Sequence, residues 1–385
     1  MQGKADNWMT ASPSIPWSQR MAVSALDRYS LSAGRWHYKD GLLFKGIYHV
    51  WQATRDACYW ERLVEYVDRF VDASGEIKTY QLEEYNLDQI NPGKLLFTIY
   101  QASGQERYCR AIDLLRQQLR QQPRTHEGGF WHKKIYPYQM WLDGIYMAAP
   151  FYAQYAQTFE EPAAFDDIAF QILTVEKHTR DPHSGLLYHA WDESRQQPWA
   201  DPSSGCSPHF WSRAVGWYVM ALVDVLDFFP PDHANHPEIV AILERTLNAV
   251  AAWQDEATGL WWQVLDQGER LGNYREASGT CMFVYAIVKG IRQGILGRSW
   301  LSMAEKGFAG LQQHLLSIDD QGRLDLQGIC TSAGLGGNPY RDGSFSYYVS
   351  EPVAANDLHG IGAFILAAAE MERITPASAG SEAKA

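Results

Sequence analysis

A short glycine-aromatic phrase recurs along this 385-residue chain: GRWHY at Gly34, GFWHK at Gly129, GLLYH at Gly185 and GLWWQ at Gly259, with weaker copies GEIKTY at Gly75 and GRLDL at Gly322. Internal repetition on this scale, with starts 41 to 74 residues apart, restricts the fold more than any other feature of the chain. Each phrase alternates and follows a turn residue, so a short strand or extended loop is expected there. Before each phrase the spacing predicts an amphipathic helix, near Trp17–Ser32, Asp56–Val71, Glu106–Gln122, Ala163–Thr179, Pro237–Glu256 and Trp300–Ile318. In these segments apolar residues recur every three or four positions and charges fill the other face.

After each phrase comes a second kind of helix, starting near Asp40, Asp88, Asp143, Ser212, Ser278 and Asn356 and rich in Gly, Ala, Met and aromatics. A helix that is apolar nearly all round is buried. Six outer helices alternating with six inner ones predict an all-α fold, an (α/α)6 barrel or toroid. It would form one domain over residues 12–375, with the small, polar segment 376–385 expected to be disordered. An open α-solenoid is the alternative. In the toroid every phrase precedes an inner-helix N-terminus, so all six gather at one mouth. Orphan N–H groups and positive dipole ends point there, and an anion is welcome. The residues at these helix starts are therefore the candidates for a site, among them Lys39, Asp40, Ser278, Thr280, Asn356 and Asp357.

Composition excludes several function classes. Forty-five acidic against 33 basic residues leave a net charge of -12, which argues against nucleic acid or an anionic membrane as partner. A small anionic ligand held by a local basic cluster remains compatible. No apolar run approaches the roughly 18 residues of a membrane span, and the first residues lack the apolar core of a secretory signal. Five scattered cysteines without CxxC or Cys/His spacing suggest neither disulfides nor a zinc site. The expectation is a cytoplasmic protein that uses no metal or cofactor. Fifteen Trp and 21 Tyr suit a cleft that stacks on sugar rings, although most must be core.

Three stretches at the mouth carry chemistry. WHKKIYPYQMWLDGIY places His132, Lys133, Trp141 and Asp143 just before an apolar helix. Asp143 reads either as a helix N-cap or as a catalytic acid kept protonated by dry aromatic walls. YNLDQINPGKLLF brings Asp88; Pro92 four residues on would delay the helix and leave Asp88 on the entering loop. YHAWD and CSPHFWSRAVGWY bring His189, Trp211, Arg213 and Trp217. An Arg flanked by Trp planes makes a clamp for a sugar carboxylate. Each also has a plain structural reading: His189 as a core histidine, Arg213 as a bridge to Asp88 or Asp143, Trp217 as core. Two carboxylates from neighbouring repeats suggest glycoside chemistry, as acid and base or with one serving as both.

These phrases, with TSAGLGGNPYRDGSFSYY and NDLHGIGAFILA, resemble the unsaturated rhamnogalacturonyl hydrolases, glycoside hydrolase family 105. The resemblance spans roughly Trp36 to Met371. It implies an (α/α)6 barrel and a substrate left by a pectin lyase, a short oligosaccharide with a C4=C5 double bond in its anionic, non-reducing uronic acid. It implies hydration of that double bond by a single acid/base, without metal or cofactor. On the same basis Asp143 matches the acid/base and Asp88 a supporting carboxylate. His189, Arg213, Trp211 and Trp217 surround the unsaturated sugar, with His132, Lys133 and Trp141 in the pocket and Ser332 on the far wall. Unsaturated glucuronyl hydrolases share the fold and the chemistry. A sugar epimerase relying on paired His and a non-enzymatic solenoid binding module are more distant readings.

Overall fold

In the computed structural model, residues 15–30 and 34–374 are described; the expected tail at 376–385 lies outside them. The outer helices are α1 (Trp17–Arg28), α3 (Ala57–Phe70), α5 (Glu106–Gln121), α7 (Ala164–Thr179), α9 (His236–Ala251) and α11 (Leu301–Gly310). The inner ones are α2 (Tyr38–Thr54), α4 (Lys94–Ser103), α6 (Leu142–Thr158), α8 (Ser212–Val225), α10 (Ala277–Arg292) and α13 (Leu358–Ile374). Successive inner helices pack side by side, and α13 packs on α2 to close the ring. The fold is the expected (α/α)6 barrel, and closure removes the open solenoid.

The inner helices are apolar because they are enclosed: every residue of α8 is buried, and all of α10 but its last. Small residues set their spacing. A Cβ at Gly362 in α13 would stand 2.7 Å from Leu42 Cγ in α2, inside contact distance, so the closing seam needs a glycine. The outer helices bury one face only; α5 buries Tyr108, Ala111, Ile112, Leu115 and Leu119 along one stripe.

Two boundaries differ from expectation. The helix expected to run to Ile318 ends at Gly310 and a five-residue π turn; Leu316–Ile318 is instead strand β3, paired with β4 (Leu324–Leu326). A helix of six residues, α12 (Phe345–Ser350), had no counterpart in the periodicity. The delay foreseen at Pro92 is real: 3-10 turns at Leu87–Gln89 and Asn91–Gly93 precede α4, and Asp88 lies in the first of them.

In the glycine phrases a turn precedes short extended or bridged residues, strand β4 among them, and what they repeat is an acceptor as much as a glycine. At Asp72, Asp181, Asp255 and Asp319 the side chain accepts a backbone N–H two or three residues on, from Ser74, Ser184, Thr258 and Gln321. In each case a glycine follows with φ between 72° and 92°. The aspartate's own N–H then closes on the carbonyl just past that glycine. Thr125 fills the same role with Gly128 at φ 105°. An Asx-type turn with a left-handed glycine thus reverses the chain after five of the six outer helices.

These turns generate a prediction. Gly259 has φ 76° and a Cβ there would come within 2.4 Å of the Lys306 carbonyl, whereas Gly104 has φ 64° and open space around it. Gly104→Ala should cost about 1–2 kcal/mol, the left-handed strain alone. Gly259→Ala should cost that and a further 1–3 kcal/mol, roughly, from overpacking. Equal urea-unfolding midpoints for the two variants would sink the close-approach argument.

Candidate active site

The mouth is stitched together by main-chain bonds between successive repeats. Leu87 N–H donates to the His132 carbonyl at 3.1 Å, and His132 N–H donates to the Gln139 carbonyl at 2.8 Å. Strand β1 (Gln139–Trp141) pairs antiparallel with β2 (Ala190–Asp192), Trp141 opposite Ala190. At the next step Leu142 N–H donates to the His189 carbonyl at 3.1 Å. Further round, Ser212 N–H reaches the Gln263 carbonyl and Ala277 N–H the Gly328 carbonyl.

This belt places Asp143 beside His189. The strand β1 runs directly into α6, so Asp143 is the second residue of that helix, and Trp141 is the residue at its N-cap. The Asp143 side chain caps no backbone N–H, so the N-cap reading fails. Its Oδ2 lies 3.1 Å from His189 Nε2, yet the two make no hydrogen bond and both are buried without any other partner. His189 is held from behind, its Nδ1 2.8 Å from the Tyr348 hydroxyl. Burial pushes the Tyr348 phenol well above its ordinary range, so it stays protonated and is able to donate. The Tyr348 hydroxyl thus fixes the plane of the imidazole whose Nε2 stands beside Asp143.

Aromatic rings wall the pair. Trp141 is stacked on His132 at 4.7 Å and on Tyr136 at 4.9 Å, and meets His189 edge-on at 5.2 Å. Burial, only partly offset by Asp88, lowers His132 to about 4, so it is neutral at pH 7. Asp88 is charge-paired instead: Lys133 Nζ is 2.5 Å from its Oδ2, and His132 Nε2 is 3.5 Å from its Oδ1. Burial works to raise Asp88, but Lys133, with help from His132, outweighs it and holds the carboxyl below its usual value. Asp88 is therefore an ionised support and a poor proton donor, and Lys133 already has an acidic partner.

The remaining candidates are more deeply set than expected. Arg213 is fully buried. Its Nε donates to Ser278 Oγ at 2.7 Å, and Nη2 reaches the Cys330 carbonyl and stands 3.4 Å from Glu276. It bridges to neither Asp88 nor Asp143. Its Nη1 is the one buried nitrogen left without a partner, so this is the only atom through which it has a free N–H to offer. Trp211 donates to Gln263 at 3.0 Å and packs on His189. Trp217 is 1 % exposed and stacked on Tyr146, which is the core reading. Ser332 is exposed; its loop reaches the wall through Leu335, packed with Trp141, and Arg341, which donates to Tyr136 at 2.8 Å. Asp40 is turned aside to the Tyr29 hydroxyl, while Thr280 and Asn356 bond the backbone.

Sequence reasoning missed Tyr348, Glu276 and a chain next to α2: Tyr38 hydroxyl to His359 Nε2 at 2.8 Å, and His359 Nδ1 to Asp357 at 2.7 Å. Tyr38 and His359 flank the helix starts that were singled out, one residue before Lys39 and two after Asp357. Glu276 is the N-cap of α10, accepting from Gly279 N–H at 2.6 Å.

Comparison with known proteins agrees with this geometry. The sequence model of Glycosyl Hydrolase Family 88 matches residues 17–375. A family 105 glycoside hydrolase structure from C. acetobutylicum ATCC 824 is 45 % identical, covering 93 % of this chain and 100 % of its own, with a TM-score of 0.91. The chain belongs to this glycoside hydrolase family. Protein Atu3128 of Agrobacterium fabrum is 42 % identical over 230 residues, 58 % of this chain and 97 % of that protein. Unsaturated rhamnogalacturonyl hydrolase YesR of Bacillus subtilis is 25 % identical over 295 residues, 75 % of this chain and 78 % of that one. The family 105 resemblance seen in the sequence is thereby confirmed. No helix among the described residues is long and apolar enough to cross a membrane.

Two substitutions test the electrostatics of this glycoside hydrolase. Asp88 is depressed in the folded state, so its pairing stabilises the protein above the ordinary carboxylate range and is lost as pH falls through the folded value. Lys133→Met should therefore lower the melting temperature most at neutral pH, with the deficit shrinking in acid. A deficit independent of pH would refute the pairing. Arg213→Ala should cost about 3–5 kcal/mol by stranding Glu276. A thermal melt unchanged from wild type would show that Arg213 is free for ligand.

Proposed function

We infer that this glycoside hydrolase removes the unsaturated uronic acid from short rhamnogalacturonan-derived oligosaccharides by hydrating its C4=C5 double bond. The observation that carries the reading is the Asp143 oxygen, buried beside His189 at the mouth with no hydrogen-bond partner. A buried polar atom left unpaired in a folded protein asks for a partner from outside. Together with the likeness to YesR, this supports an acid/base at Asp143.

The chemistry then needs one carboxyl. As an acid, Asp143 gives its proton to C4 of the enol ether. As the resulting carboxylate, it takes a proton from water while the oxygen adds to C5. The C5 hemiketal opens to a ketone, which leaves C1 as a hemiacetal. That hemiacetal collapses to an aldehyde and releases the second sugar, so one water is consumed overall. His189 Nε2, fixed by Tyr348, steadies the carboxylate between the two proton transfers. Asp88, ionised against Lys133, keeps its place as a support that orients the sugar hydroxyls rather than a second acid. Trp141 and Trp211 form the dry wall beside Asp143 and His189, and we assign Lys133, His132 and the free Nη1 of Arg213 to the sugar's polar groups. The mouth's inner-helix N-termini favour the substrate carboxylate. The partner is thus a small anionic oligosaccharide, and five unpaired cysteines suit a reducing, cytoplasmic setting.

Asp143→Asn keeps the shape and removes the proton relay. Turnover should fall by about a thousandfold, within the roughly 10²–10⁴-fold range of general acid–base catalysis. Binding of unsaturated galacturonyl-rhamnose should persist. The measurement is the decay of the ultraviolet absorbance of the conjugated double bond, run in parallel with an unsaturated chondroitin disaccharide. Decay with the chondroitin substrate alone would move the activity to the glucuronyl class, and near-normal decay in Asp143→Asn would remove the acid/base assignment.

A further inference from the structure

The far end of the lumen holds a second polar cavity. It is lined by the C-terminal turns of α6, α8, α10 and α13 together with α4 and the middle and end of α2, and its volume is about 540 Å³. A water takes roughly 30 Å³ in the liquid, so the space is ample for a small solute and its hydration. None of the residues assigned to catalysis or sugar binding lines it.

The charges there do not balance. Asp224 is shared by Lys45 and Lys289, the latter at 2.6 Å, and Lys289 also reaches Asp227 at 2.5 Å. Arg292 and Arg373, at the solvent edge, share Glu370 at 2.6 and 2.9 Å. Lys94 completes the set. Its Nζ donates to the Tyr146 carbonyl at 3.0 Å and rests 3.7 Å from the Tyr146 ring centre, and among the described residues it has no carboxylate partner. Five cations therefore face three carboxylates.

Helix dipoles favour three of these five cations and leave two to explain. Lys289, Arg292 and Arg373 stand in the last turns of α10 and α13, where a cation is favoured. Lys45 is in the middle of α2, and Lys94 is the first residue of α4, at the end where a cation is disfavoured. Burial, with Lys45 nearby, holds the Lys94 ammonium well below the usual lysine range, which is the cost of leaving it without an anion. A second observation points the same way. His49 lines the cavity at 8 % exposure, and its Nδ1 has no hydrogen-bond partner, standing 3.9 Å from Glu370.

We propose that this cavity binds a small oxyanion, a phosphate group in the simplest case, through Lys94, Lys45 and His49, with Arg292 and Arg373 at its entrance. Free phosphate and a phosphorylated sugar present the same group, and the cavity has room for either.

The test is isothermal titration of the full chain with inorganic phosphate and, separately, a hexose phosphate, at constant ionic strength set with sodium chloride. Saturable binding of one or both is expected, tighter for the source that the site takes. Lys94→Met should weaken it at least about tenfold, the loss of one charge-assisted contact. The unliganded variant should melt no lower than wild type, since the substitution removes a buried cation that lacks a carboxylate. Arg373→Gln, at the edge, should weaken binding severalfold and serves if Lys94→Met does not fold. Asp143→Asn should bind phosphate as wild type does. No saturable heat with either ligand, or binding that survives Lys94→Met and Arg373→Gln but is lost in Lys133→Met, would overturn the proposal; the last would move the anion to the catalytic mouth.

Discussion

The site depends on one short backbone pairing. Strand β1 meets β2 for three residues, and Leu142 N–H closes on the His189 carbonyl just beyond it. Strand pairing has a period of two, so a slip of one residue would turn Trp141 and its neighbours to the opposite face. With the register fixed, Trp141 stands edge-on to His189 and Asp143 enters α6 directly beside the imidazole. Neither side chain has to find the other, because the main chain has already placed both. The same logic runs round the mouth: Leu87 to His132, Ser212 to Gln263, Ala277 to Gly328. The ring of inner helices supplies a rigid platform, and the belt of loop-to-loop bonds turns six separate helix entrances into one surface.

That belt also explains how two aspartates of similar depth come to differ in role. Asp88 sits in a 3-10 turn, where the backbone bond from Leu87 to the His132 carbonyl brings Lys133 within 2.5 Å of it. A cation at that distance fixes the charge of a buried carboxyl. Asp143 receives no cation of this kind. Its near neighbours are Trp141 and a histidine whose other nitrogen is tied to Tyr348. One carboxylate is committed to a structural charge pair while the other keeps a free oxygen. A reaction that needs a group to lose and regain a proton calls for that division of labour.

Much of this was legible in the sequence, and the limits have physical causes. The inner and outer helices could be told apart because burial on all sides and burial on one side leave different periodicities. Asp143, Asp88 and Trp141 could be placed at the mouth because each sits at or just ahead of an inner helix, and His189 because it closes a glycine phrase. What could not be read was the partner of each side chain. Arg213 looked like a clamp because Trp211 and Trp217 flank it. Its partner, Glu276, lies 63 positions away and comes into reach only when α10 packs on α8. Trp217 likewise faces Tyr146 across the α6–α8 seam rather than the open mouth. The end of α11 failed for a different reason. The apolar spacing of GLQQHLLSI fits a helix, but Leu316–Ile318 has a strand to pair with only after the Asp319 turn reverses the chain, and periodicity carries no sign of that pairing.

The two ends of the lumen use the same architecture with opposite electrostatics. At the mouth, inner-helix N-termini offer N–H groups and positive dipole ends, and the side chains placed there include the acids Asp88, Asp143 and Glu276. At the far end the dipoles are negative, and lysines and arginines outnumber the acids among the charged side chains of the lining. In both places side-chain charge opposes the local helix field, as stability favours. Departures from that rule are then informative. Asp143 is in the favoured place but has no bonding partner, which marks a group kept available. Lys94 is a cation at the wrong end of its helix, with a tyrosine ring and one carbonyl for company. At Lys94 the barrel holds a lysine in its lumen with no carboxylate beside it among the described residues, and the cavity it lines is the place where an outside anion would meet it.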